Sequence, residues 1–144
     1  MKIQTKEIKD QKIWENFLLA QIKQRNFLQS WNWGECHYLC SQKIFRYGFY
    51  DDDGCLKGIA LLIKQNSKRG NYLECPGGPV INWEESNYIK SFTDLLKTIG
   101  KDENCRFARI RPQILKNSEN RQKLSHQGFM LPCIFTPKTL GFWT

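Results

Sequence analysis

Between Gln11 and Ile22 the apolar positions recur at helical spacing: Ile13, Phe17 and Ala20 lie on one line, with Trp14, Leu18 and Gln21 beside it. Asp10 stands immediately before as an N-cap, so the pattern predicts a helix running to about Ile22. A shorter helix is expected from Ser30 or Asn32 to about Cys40. From Lys43 to Tyr50 the period drops to two, with Phe45, Tyr47 and Phe49 facing one way and Arg46 and Gly48 the other. Asp51-Asp52-Asp53-Gly54 is a hairpin turn in which Gly54 supplies a positive φ. Cys55 to Ile63 is apolar on both faces apart from Lys57, which marks an interior strand. A basic loop at 66–70 leads to a third strand, Asn71 to Cys75, ended by Pro76-Gly77-Gly78-Pro79.

Asn82 with Glu85 three residues on fits a capping box. The helix it opens carries Tyr88, Phe92, Leu95, Leu96 and Ile99 on one stripe and is expected to stop at Gly100. A strand from Arg106 to Arg111 closes at Pro112, a helix from Ser118 to Gln127 ends at Gly128, and Lys138 to Thr144 forms a last strand. The order is α-α-β-β-β-α-β-α-β. Three strands in a meander, then a helix crossing to a fourth, give an α+β domain with a mixed, mostly antiparallel sheet flanked by helices. The layout resembles the GNAT (N-acyltransferase) fold with its first strand weak or missing.

Composition narrows this further. With 144 residues, 40% hydrophobic and 13% aromatic, the chain is one domain with a real core and not a disordered polymer. No apolar run approaches the roughly 20 residues that span a bilayer. The charged start MKIQTKEIKDQK lacks the centre of a signal peptide, so a cytoplasmic location is expected. The six cysteines form no CxxC pair and are expected to be free and mostly buried, without a metal. The three aspartates at 51–53 gain no further acidic ligands downstream, so no metal loop is expected there either. A net charge of +8 favours an anionic partner: nucleic acid, a phosphorylated substrate or an anionic membrane surface.

The candidate chemistry lies in Phe27 to Gly34, FLQSWNWG, followed by Glu35. Two tryptophans within three residues make either a packed helix start or the lip of a cleft. In GNAT enzymes the pyrophosphate of coenzyme A lies on backbone N–H groups where the third meander strand meets the next helix. That junction here carries Pro76 and Pro79, which remove donors, and Glu84 with Glu85, which oppose an anion at a helix start. No coenzyme A or other cofactor is expected.

FLQSWNWGE, the hairpin strand ending GIALLIK, the turn PGGPV, the strand end ARIRP, Gly128-Phe129 and the closing TPKTL follow one another as in Fem-type aminoacyltransferases. These are the FemA, FemB and FemX enzymes that form peptidoglycan bridges from two GNAT-like domains. The resemblance covers nearly the whole chain. It implies an amide-forming transferase that moves an amino acid from aminoacyl-tRNA to the peptide stem of a lipid- or nucleotide-linked cell-wall precursor, with possible peripheral membrane contact. It also implies that residues 1–144 are the N-terminal domain, inactive alone, with the tRNA-binding second domain missing.

The residues it singles out for substrate binding are Gln29, Trp33 and Glu35 at the lip, Gly78 and Pro79 in the turn, and Arg109 and Arg111 at a strand end. No catalytic residue carries over. Some family members have a lysine after the tryptophan matching Trp33 and an acid before the proline matching Pro112. This chain has Glu35 and Arg111 in those regions. Two other readings use the same residues: a small basic RNA-binding module working through Arg69, Arg106, Arg109 and aromatic stacking, and a stand-alone N-acyltransferase with another thioester donor.

Overall fold

In the computed structural model, which describes residues 2–130, the first strand is one the hydrophobic pattern does not announce. β1 (Gln4–Glu7) pairs antiparallel with β2 (Ile44–Tyr50), Gln4 opposite Tyr50 and Glu7 opposite Tyr47. Its side chains are mostly exposed, so no apolar alternation exists to be read. Backbone pairing alone makes it a strand. The expected three-stranded meander is therefore four-stranded: β1, β2, β3 (Leu56–Gln65) and β4 (Asn71–Cys75). Helix α3 (Ser86–Asp102) then leads to β5 (Cys105–Ile110), which lies parallel to β4 at the end of a sheet ordered β1-β2-β3-β4-β5. The expected strand from Lys138 lies outside the described residues.

β3 is apolar on both faces because both faces are covered. Ala60 and Leu62 join Phe49, Phe92, Leu96 and Ile99 on the α3 side. Ile59, Leu61 and Ile63 join Trp14, Leu18 and Val80 on the other. Phe45, Tyr47 and Phe49 share the α3 face, as their spacing requires. Helix α4 (Ser118–His126) adds Leu124 to that layer.

The opposite layer is α1 (Gln11–Ala20), a single 3-10 turn at Phe27–Gln29, and α2 (Trp31–Leu39). Asp10 caps α1 through the N–H groups of Lys12 and Ile13. Ser30, not Asn32, caps α2 by accepting from the N–H of Trp33 at 3.1 Å.

Three local expectations are corrected. Asn82 accepts from the N–H of Glu84 and donates to Glu85, but this turn precedes the helix, which starts at Ser86 without a side-chain cap. Gly100 does not stop α3. The helix runs on to Asp102, and Asn104, at φ 58°, makes the turn. An interior glycine is a cost of about 1 kcal/mol, small against a stripe of seven buried residues that includes Tyr88, Phe92 and Ile99. Of the described cysteines only Cys75 is buried. Cys36, Cys40 and Cys55 are exposed, on α2, at its end and beside the hairpin turn. Among the described residues no helix is long and apolar enough to cross a membrane.

Candidate functional site

β3 and β4 pair only at Ile63–Glu74, Lys64–Leu73 and Gln65–Tyr72. Beyond that they separate, and Gln29 stands between them. Its Oε1 accepts from the N–H of Leu61 at 2.8 Å, while its Nε2 donates to the carbonyls of Pro76 at 2.6 Å and Leu61 at 3.3 Å. The side-chain amide thus fills a missing ladder position. Its own carbonyl accepts from the indole N–H of Trp14 at 2.7 Å. The residue is fully buried. Two residues further along β3, Ile59 and Val80 exchange 2.9 Å backbone hydrogen bonds, which brings the PGGPV turn back onto the sheet.

Gly78 is required by this arrangement: a Cβ there would lie 2.6 Å from Gln29 Cδ. The Gly78–Pro79 peptide is cis, and Pro79 is fully buried. Gln29, Gly78 and Pro79 therefore build the frame beneath a surface and present no polar side-chain atom to solvent. Burial raises the Cys75 thiol well above its usual range, so this cysteine is held as a neutral packing group.

The open surface lies on the other side of α2. A cleft of about 560 Å³ runs between α2, the end of β1 and the start of β2, lined by Glu7, Lys9, Trp31, Glu35, Tyr38, Lys43 and Arg46 among others. Arg46 is its central group. Its Nη2 bonds Glu35 at 2.9 Å and the carbonyl of Trp31 at 2.8 Å, and its guanidinium carbon lies 3.6 Å from the centre of the Trp31 ring. Burial lowers the Arg46 pKa, and the Glu35 hydrogen bond and charge pull it back up. Glu35 is therefore half of an ion pair and not a lone negative charge. Gly34 makes the approach possible, since a Cβ on it would sit 2.7 Å from Arg46 Nη2. The alternation along β2 already placed Arg46 opposite Phe45 and Tyr47. That spacing was the one signal for a residue the sequence reading left out of the site.

Trp33 is half-buried against the Trp14 layer, with ring centroids 5.4 Å from Phe27 and 5.1 Å from His37, and its buried indole nitrogen has no partner among the described residues. Arg109 and Arg111 lie elsewhere, on the β5 side of the sheet. The Arg109 guanidinium is 5.2 Å from the Tyr72 ring, which stacks on Phe107 at 4.8 Å and 6°. Arg111 lies 3.8 Å from Glu74. The seven residues read from sequence thus fall into four places: the buried frame of Gln29, Gly78 and Pro79, Trp33 half-buried against the Trp14 layer, Glu35 in the cleft, and Arg109 and Arg111 on the β5 face. A second cleft of about 900 Å³ lies between Lys23, Gln24, Trp83, Glu84, Leu115 and Glu119 among others.

At the start of α3, Glu84 pairs with Lys123 at 3.0 Å and Glu85 occupies the cap position. The acids suspected of opposing a pyrophosphate do sit at the helix entrance.

Comparison with known proteins bears on the whole frame. The crystal structure of FemX superposes with a TM-score of 0.78 at 20% identity, covering 89% of this chain and 32% of that one, so this chain spans about a third of the FemX length. A glucosamine-6-phosphate N-acetyltransferase from Arabidopsis thaliana gives 0.68 at 10% identity, covering 96% and 99% of the two chains. A probable acetyltransferase gives 0.65 at 14%, covering 97% of each. These likenesses establish a GNAT-like α+β fold. No curated protein matches the sequence. The model of the FemAB family matches residues 10–129, most of the chain, and the protein is accordingly a member of the FemAB family.

Proposed function

We propose that this domain binds the cell-wall precursor for a Fem-type aminoacyltransferase acting in the cytoplasm, with the cleft around Glu35 and Arg46 as the precursor site. The observation that carries the reading is the family match across residues 10–129. The cleft supports it chemically. Exposed Tyr38 offers an aromatic face to a sugar, while the Arg46–Glu35 pair can meet a carboxylate and an ammonium of a peptide stem. Exposed Lys9 at the rim adds positive charge for a phosphate. In the reaction the acceptor amine attacks the ester carbonyl of an aminoacyl-tRNA, the C–N bond forms, the ester C–O bond breaks, and the amine proton passes to the leaving oxygen. Arg111 stands where some relatives carry an acid, so that candidate base does not carry over to this chain. The domain is therefore expected to bind without transferring, the remaining groups and the tRNA site belonging to a second domain.

A second reading has its own observation, the stacked Tyr72–Phe107 pair beside Arg109, which suits a base and its phosphate. Titration calorimetry separates the two. A nucleotide-linked muropeptide should bind the chain, and Tyr38→Ala with Glu35→Gln should weaken it roughly tenfold while Phe107→Ala leaves it unchanged. Loss on Phe107→Ala alone, or binding of RNA and not of muropeptide, selects the second reading. Transfer of labelled amino acid by the isolated chain would refute the division of labour.

A further inference from the structure

The turn that links α1 to the tryptophan pair exposes three large apolar side chains: Leu19, Ile22 and Phe27 are 59%, 77% and 66% exposed. It is an anchored turn. The N–H of Arg25 reaches the carbonyl of Gln21 at 2.7 Å, and its guanidinium reaches that of Leu19 at 3.2 Å. Gln24 donates to the carbonyl of Ile81 at 2.9 Å, and Asn26 to that of Gly77 at 2.8 Å. Phe27 stands edge-on to Trp33. Apolar groups fixed outward in this way are unfavourable in water and mark a contact surface.

The charge around them identifies what they contact. Exposed Lys23 and Arg25 lie between the apolar residues, and no Asp or Glu occurs between Asn16 and Gly34. Glu15, the nearest acid before them, is turned inward to accept from the N–H of Trp31 at 2.6 Å. Glu84 and Glu119, which line the same cleft as Lys23, are both paired with Lys123. Large apolar tips with interleaved cations, whose acidic neighbours are already paired, match acyl chains beneath anionic headgroups. A second copy fits less well, because a two-fold contact would bring the same cations together.

We propose that the Leu19–Phe27 turn is an interfacial anchor that seats the domain on an anionic lipid bilayer. Membrane contact at this turn would hold whether or not the cleft at Glu35 takes a cell-wall precursor. Co-sedimentation of the full chain with vesicles of phosphatidylglycerol and phosphatidylcholine, against phosphatidylcholine alone, tests it. The chain should bind the anionic vesicles selectively, and Ile22→Ser with Phe27→Ser should abolish binding with circular dichroism unchanged. Lys23→Gln with Arg25→Gln should weaken it roughly twentyfold at low salt. Leu39→Ser, at an apolar residue 80% exposed at the end of α2, should change nothing. Absence of binding, equal binding to neutral vesicles, or binding that survives the serine variants would overturn the proposal. So would a solution dimer, seen by sedimentation velocity, that Ile22→Ser with Phe27→Ser dissolves.

Discussion

Gln29 occupies the place of backbone in this sheet, and that sets the consequence of losing it. In Gln29→Ala the N–H of Leu61 and the carbonyl of Pro76 lose their partner inside the core. Each orphaned group costs about 1–3 kcal/mol, so the variant should be destabilised by about 2–4 kcal/mol. Urea unfolding would show this as a lower midpoint with an unchanged slope; a shift worth under about 1 kcal/mol would mean the amide is not the link between the strands. The sequence drew attention to Gln29 but to the wrong environment. A glutamine carries no mark of burial, and only the separation of β3 from β4 creates the need for its amide. Arg46 is the reverse case. Its direction was legible from the alternation of β2, while its meeting with Glu35 and Trp31 depends on how α2 lies across the strand.

The elements themselves were largely readable where apolar spacing and caps coincide, as at Asp10, Ser30, Gly54 and Gly128. They were unreadable where polarity hides a strand, as in β1, or where tertiary packing carries a helix through a glycine, as in α3. The far end of α3 shows how elements are tied together. Glu103, at the negative end of the helix dipole, is held by Lys43 before β2 and by Lys64 on β3. The Lys43 hydrogen bond, working against burial, lowers the Glu103 pKa from its ordinary 4.5. A carboxyl lowered in the folded state contributes stability above its unfolded pKa and loses it as pH falls through the folded one. Glu103→Gln should therefore melt below the wild type at neutral pH, by the worth of an ion-pair cluster, about 0.5–1 kcal/mol. The difference should close as pH falls through the lowered folded pKa. A gap that persists in acid would trace to packing instead of charge.

For the molecule as a whole, a GNAT-like frame like that of acetyltransferases carries Pro76, Pro79, Glu84 and Glu85 where β4 leads into α3. Gln29 and the PGGPV turn close the gap between β3 and β4, and Glu84 and Glu85 guard the start of α3. Acetyl-CoA should give no heat in titration calorimetry, and micromolar affinity would overturn both this and the transferase reading given above. The fold class was legible from the order of elements, and the family from the run of short motifs. The division of the predicted site into frame, half-buried Trp33, cleft and face was not, because it depends on which side of the sheet each motif reaches. The junction at Gln29 also bears on how the protein moves. Trp14 of α1, the 3-10 turn, β3 and β4 all meet there through hydrogen bonds. The α1–α2 layer cannot lift away alone without stripping the amide of Leu61 of its partner, deep inside the sheet. Opening of that layer and fraying of the central strand are one event, and the exchange rate of a single amide proton counts how often it happens.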